Sequence, residues 1–242
     1  MDGIAGGVPA RGRDLAGAAG LLADGSRAAF CLALLDGRAW TMTELARHAG
    51  IARSTASRHL DLLVAAGLLV HERQGRHRYV RLAGPEVAEV VEALTALAPR
   101  GPAPSGSLRV VRRRDALARA RTCYDHLAGD LGVGITDAMA ARGLLTWDGG
   151  LALTPDGASW LEALGIAVPS RTRRPAVRAC LDWTVRRHHV AGAVGAALCS
   201  HAFTESWIVR VAPTRAVRLT DEGEAALRRH LGLTLPPHSA AA

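Results

Sequence analysis

Two sets of side chains in this sequence have types and spacings that could do chemistry. The first is a run of guanidinium and hydroxyl groups, Arg53, Ser54, Thr55, Ser57 and Arg58, crowded into six positions. Side chains of this size and hydrogen-bonding capacity can read base edges in the major groove of double-stranded DNA. Thr43 lies shortly before them, and Arg73, Arg76 and Arg78 follow, where cations would grip phosphates. The second set is Cys123, His126, Cys180 and His189, with His188 and Cys199-x-His201 nearby in sequence. Thiolate and imidazole are donors that zinc or copper would accept. Their linear spacing matches no ligand framework, however, and each also reads as a small buried thiol or a helix-face histidine. No metal site is therefore expected. Cys123, His126, Cys180 and His189 stand as redox or effector candidates, and Cys123 and Cys180 would need a lowered thiol pKa to serve as a redox pair.

Catalysis finds no support. There is no nucleophile elbow, zinc-protease helix or Walker loop, and Gly129-x-x-Gly132-x-Gly134 reverses the glycine order of the dinucleotide fingerprint. The expectation is no catalytic residue, no cofactor and no enzyme.

The first set needs a scaffold, and local signals supply one. Thr41-Met-Thr-Glu44 is a capping box that starts a helix, and Gly50 permits its left-handed exit. After the turn at Ile51-Ala52, a second helix from Arg53 to Ala66 buries Ala56, Leu60, Leu63 and Val64 on one face. Arg53, Ser54, Ser57 and Arg58 then fall on the other. Leu68 to Arg73 and His77 to Leu82 alternate as strands about Gln74-Gly75-Arg76. Helix, turn, helix and hairpin make a winged helix-turn-helix, whose second helix enters the major groove. Between residues 50 and 82, six arginines face only Asp61 and Glu72.

With Leu22-Ala-Asp-Gly-Ser-Arg27, Ser54-Thr-Ala-Ser-Arg-His-Leu60, Ala66-Gly-Leu68 and Arg73-x-Gly75-Arg76-x-x-x-Tyr79, residues 15 to 97 resemble the ArsR/SmtB winged-helix regulators. The resemblance implies a homodimer reading palindromic DNA, with dimer contacts from Leu15–Ala23 and Pro85–Leu97. Val87, Val90, Val91 and Leu94 form a stripe suited to that role, or to packing within the domain. The family's usual metal positions are not filled: Thr43 to Ala49 holds no cysteine, and Pro85 to Ala98 holds neither Asp nor His.

The whole chain has 242 residues, a net charge of +8 and no lysine, all 30 cations being arginine. That balance favours a polyanionic partner. Its 49% hydrophobic content excludes disordered, collagenous and coiled-coil classes, and no apolar run is long enough to cross a membrane. The start lacks a secretory pattern, so a cytoplasmic protein is expected. The expected layout is a disordered stretch at 1–14, the winged helix-turn-helix at 15–98, a Pro/Gly linker at 99–108, two repeat units at 109–170 and 171–235, and a disordered tail at 236–242. The repeat rests on His126-Leu-Ala-Gly129-Asp-Leu-Gly132 against His189-Val-Ala-Gly192-Ala-Val-Gly195, on Cys123-x-Asp125 against Cys180-x-Asp182, and on Leu153-Thr-Pro-Asp-Gly157 against Leu219-Thr-Asp-Glu-Gly223.

The fold class is thus mainly α with small β-hairpins, an N-terminal winged helix-turn-helix followed by a duplicated, winged-helix-like α+β region. Trp147, Trp160, Trp183 and Trp207 could pack in its core or line an apolar effector pocket. Arg112-Arg113-Arg114 and Arg171-x-Arg173-Arg174 are solvated charge or further DNA-backbone contacts. The functional reading is a dimeric DNA-binding repressor released by an unknown small-molecule effector, with a thiol- or metal-responsive switch or a small-molecule-binding protein acting through 109–235 as the alternatives.

Overall fold

Short polar caps decide where the first helices begin. In this computed structural model, which describes residues 10–74, 77–99, 108–169 and 174–235, α1 (Ala10–Leu22) is followed by α2 (Gly25–Leu34). The Asp24 carboxylate accepts the Ser26 and Arg27 amides at 3.0 Å each, filling two orphan donors of α2. β1 (Trp40–Thr41) leads into α3 (Met42–Ala49), where the capping box is complete. The Glu44 amide donates to Thr41 Oγ1 at 3.3 Å, and the Thr41 amide returns to Glu44 Oε2 at 2.8 Å. Gly50, at φ +67°, ends the helix. α4 (Arg53–Ala65), β2 (Leu69–Gln74) and β3 (His77–Leu82) complete the winged motif, and α5 (Pro85–Leu97) follows.

The sheet holds one strand more than the hairpin expected from the alternation. Its order is β1-β3-β2, all antiparallel, with Trp40 opposite Val80 and Leu69 opposite Leu82. Two residues are too few to show an alternation, so β1 carried no periodic signal. Phe30, Leu34, Leu45, Ala56, Leu60, Leu63, Leu69 and Val80 form the buried centre of this unit.

Two boundaries differ from expectation. Helix begins at Ala10, within the stretch expected to be disordered. α1 is exposed along most of its length and shows no amphipathic period, but its Ala, Arg and Leu residues are strong helix formers. The division into compact units falls between Val91 and Glu92, inside α5, and not at the linker. Glu92 is buried in the second unit, where Arg215 and Cys123 bond its carboxylate. The remaining expectations for residues 1–9, 100–107 and 236–242 lie outside the described residues.

The second unit runs α6 (Leu108–Arg119), β4 (Arg121–Cys123), β5 (His126–Ala128), α7 (Gly129–Ala141), β6 (Leu145–Thr146), β7 (Ala152–Leu153) and α8 (Pro155–Ala163). It continues with β8 (Arg178–Leu181), β9 (His188–Ala191), α9 (Gly192–Thr204), β10 (Ile208–Arg210), β11 (Val217–Leu219) and α10 (Asp221–Leu231). Hairpin, helix, hairpin, helix therefore occurs twice. The Thr154 and Thr220 hydroxyls cap α8 and α10 in the same way, each accepting an amide three residues on at 3.0 Å.

The two halves interlock. α7 packs on β9 and α9 on β5, and Leu131, Ile135, Met139, Val194, Leu198 and Leu227 share one core. Glycine makes the approach close. A Cβ on Gly195 would stand 2.5 Å from the Val190 carbonyl oxygen and 3.2 Å from His126 Cβ. Gly132 meets the Leu127 carbonyl and His189 in the matching arrangement. Among the described residues no helix is long and apolar enough to cross a membrane.

Candidate functional site

The DNA-facing candidates follow from how α4 is pinned. Ala56, Leu60 and Leu63 are buried against α2 and α3, so the opposite face is turned to solvent. Arg53, Ser54, Thr55 and Arg58 are exposed there, and Ser57 is half-buried at the margin. The N-cap of α4 is Ala52, with no side-chain cap, so no side chain competes for the first-turn amides. Thr43 lies half-buried in the first turn of α3.

On the hairpin, Arg73 and Arg78 are exposed and stand directly opposite each other in the β2–β3 register. Like charges so placed repel unless an anion lies against them. Arg78 Nε donates to His71 Nδ1 at 3.2 Å. Desolvation, and then the Arg78 charge, lower the His71 pKa from its ordinary value. Arg81 is already paired with Glu72 at 3.0 Å. Arg76 lies outside the described residues.

The second set, scattered in sequence, converges. Cys123 and His126 are cross-strand partners in the β4–β5 hairpin, and Cys180 and His189 are partners in the β8–β9 hairpin. Each hairpin thus presents one thiol and one imidazole. The two sulfurs are 4.0 Å apart, and His126 Nε2 lies 3.1 Å from His189 Nε2. One donor atom from each of the four residues lies within 4.8 Å of every other. Cys123, His126 and His189 are buried and Cys180 half-buried.

A charged frame surrounds them. His126 Nδ1 donates to Asp125 Oδ1 at 3.2 Å, and Arg174 holds that carboxylate with Nη2 at 3.0 Å from the same oxygen. His189 Nδ1 faces Asp182 Oδ2 at 3.5 Å. Asp182 in turn takes the Gly129 amide at 2.7 Å, the Thr184 amide at 2.8 Å and Arg121 at 3.0 Å. Burial alone would raise the Asp182 pKa, yet Arg121 and these donors hold it at about 2. The Cys123 thiol donates to Glu92 Oε2 at 3.1 Å. Its pKa is pushed up, first by its bond with Cys180 and then by burial. Burial pulls His126 down, but its contacts with Cys123 and Asp125 outweigh that and raise it.

Spacing alone missed Glu92, Arg121, Asp125 and Asp182 as members of this cluster. Only Cys-x-Asp, present in both repeats, signalled the two aspartates. An upshifted Cys123 is the reverse of an activated redox thiol. The expectation of no metal site rested on linear spacing, and the fold bypasses linear spacing. As for the tryptophans, Trp160 and Trp207 pack against the core beside about 20 Å³ of free space, room for roughly one water and no effector.

Comparison with known proteins agrees with the first unit. The helix-turn-helix domain family matches residues 22–72. The HTH-type transcriptional regulator YdfF of Bacillus subtilis (strain 168) is 43% identical over 218 residues, which is 89% of this chain and 96% of that protein. Among solved structures, the homodimeric winged helix-turn-helix domain of Mb0332 from Mycobacterium bovis is 28% identical and covers 39% of this chain and 89% of its own, with a TM-score of 0.33. The cadmium metal-sensor CMTR from Mycobacterium tuberculosis is 34% identical over 39% of this chain and 99% of its own, with a TM-score of 0.30. Identity sustained along nearly the full length of the Bacillus protein, together with the helix-turn-helix and its hairpin, places this chain in the family of HTH-type transcriptional regulators.

Proposed function

We propose that this regulator is an ArsR-type, cytoplasmic dimeric repressor that reads operator DNA with the exposed face of α4. Arg53, Ser54, Thr55, Ser57 and Arg58 meet base edges, Thr43 and the α4 amides position the phosphate backbone, and Arg73, Arg76 and Arg78 hold the adjacent strand. One observation carries the reading: Arg53, Arg58 and Arg73 are exposed with no ion pair among the described residues, the first two on a helix whose opposite face is buried and the third on the hairpin that follows it. Unpaired guanidinia held in place in this way suit a polyanion.

Dimerisation is supported by apolar side chains left in water. Leu15 on α1 is 72% exposed, and Val90, Leu94 and Leu97 on α5 are 52%, 47% and 77% exposed. A second copy would cover them, and a two-fold dimer would place its half-sites roughly one DNA turn apart. Release by a small effector belongs to the same proposal.

Selection of bound fragments from genomic DNA, followed by a gel-shift measurement on the enriched site, tests it. A palindromic site should emerge, and Arg58→Ala should weaken binding to it by about 1–3 kcal/mol. Absence of any enriched sequence, or an unchanged affinity for Arg58→Ala, would overturn the assignment.

A further inference from the structure

We propose that Cys123, His126, Cys180 and His189 form a closed tetrahedral site for one thiophilic divalent cation of the zinc class, clasping the two hairpins of the second unit. The distances fit. Metal–sulfur bonds of about 2.3 Å and metal–nitrogen bonds of about 2.05 Å in a tetrahedron require a sulfur–sulfur edge of about 3.8 Å and a nitrogen–nitrogen edge of about 3.3 Å. The corresponding separations are 4.0 Å and 3.1 Å.

The orientation of the imidazoles points the same way. Both Nδ1 atoms have a carboxylate beside them: His126 Nδ1 bonds Asp125 at 3.2 Å, and a carboxylate only accepts, while His189 Nδ1 makes no hydrogen bond and lies 3.5 Å from Asp182. The His126 proton therefore sits on Nδ1, the Asp182 charge favours the same tautomer in His189, and the two Nε2 atoms, 3.1 Å apart, then face each other as lone pairs. Such lone pairs repel unless something positive lies between them. A proton would serve the nitrogens alone and leave the two converging sulfurs unused, whereas a metal ion serves all four. Asp125 and Asp182 are then the carboxylates that orient ligating histidines.

Charge selects the class of ion. Two thiolates with a divalent cation are neutral overall, which a buried site tolerates, while a monovalent ion would leave net negative charge beside Glu92 and Asp182. Loading is balanced as one cation in and two thiol protons out, with the Cys123–Glu92 hydrogen bond given up and Glu92 kept by Arg215 at 2.7 Å. Four protein ligands leave no open position, so the ion is structural or sensory and not catalytic. The site stands independently of the DNA reading.

Cobalt titration of the full-length chain, reduced and stripped with chelator, decides the matter. One equivalent of Co2+ should give sulfur-to-cobalt charge transfer and the intense d–d bands of tetrahedral coordination, and Zn2+ should displace it. The double variant Cys123→Ser/Cys180→Ser should lose the signal, and Cys199→Ser, a buried thiol outside the cluster, should keep it. Asp125→Ala should weaken Zn2+ binding about 10–100-fold. A wild-type protein with titratable free thiols but no tetrahedral spectrum would overturn the proposal whether or not the double variant folds. So would an unchanged spectrum in a folded double variant.

Discussion

Arg121 and Asp182 form an ion pair at 3.0 Å in which neither side chain has any exposure to solvent. Arg121 opens the first hairpin of the second unit, and Asp182 follows the first strand of the third. The same guanidinium donates to the Leu117 carbonyl and to Thr184, and lies 5.1 Å from the Trp183 ring. Removing one partner leaves the other buried and uncompensated. Arg121→Ala should cost about 3–5 kcal/mol, read as a loss of unfolding free energy in urea. A loss below about 1 kcal/mol would mean the pair is not closed in solution.

Thr41→Ala should destabilise the full chain by about 1 kcal/mol, because its hydroxyl fills an orphan amide of α3. The Glu44 carboxylate is held below its ordinary pKa, mainly by the Thr41 amide. A depressed carboxylate contributes stability above the unfolded value and loses it as pH falls through the folded one. The cost of Glu44→Ala measured near neutrality should therefore shrink in acid below about pH 4, and a constant cost would count against the cap.

Burial pushes the Cys31 thiol up to about 11 and Cys199 up to about 12. Both are neutral near pH 7.5, and the thiolate is the reactive form. Iodoacetamide mapping by mass spectrometry should find both unmodified in the native chain and modified in denaturant. Rapid native labelling of either would contradict their burial.

Arg73→Ala and Arg78→Ala should each lower DNA affinity by a similar factor on specific and random sequence, and should flatten the salt dependence by about 1. Equilibrium titrations at several salt concentrations check this. A change confined to the operator would make either residue a base reader.

Gly195→Ala should destabilise by about 1–3 kcal/mol, since its Cβ would press on the Val190 carbonyl and on His126. Thermal unfolding measures it. An unchanged midpoint would show that α9 does not lie so close to the Val190 carbonyl and His126.

Much of the first unit was legible in the residues. The Thr41–Glu44 box, the exit at Gly50 and the Ala56, Leu60, Leu63 face rest on hydrogen bonds and periods a few residues long, so helix starts, stops and faces could be read directly. β1 and α1 were not legible in the same way. A two-residue strand is defined by its partner Val80, and α1 has no buried stripe to announce it.

The linear order of residues determined a helix-turn-helix with a basic hairpin, because caps, turns and amphipathic spacing act between neighbours. It also revealed two similar segments with a thiol, an aspartate and an imidazole in each. Which atoms of those segments meet was decided only in three dimensions. Cys123 and Cys180 approach to 4.0 Å, and His126 and His189 to 3.1 Å, where α7 packs on β9 and α9 on β5 and glycines keep each helix tight against the hairpin that leads into it. No local rule carries that choice, since it is made by a shared core whose members lie dozens of positions apart.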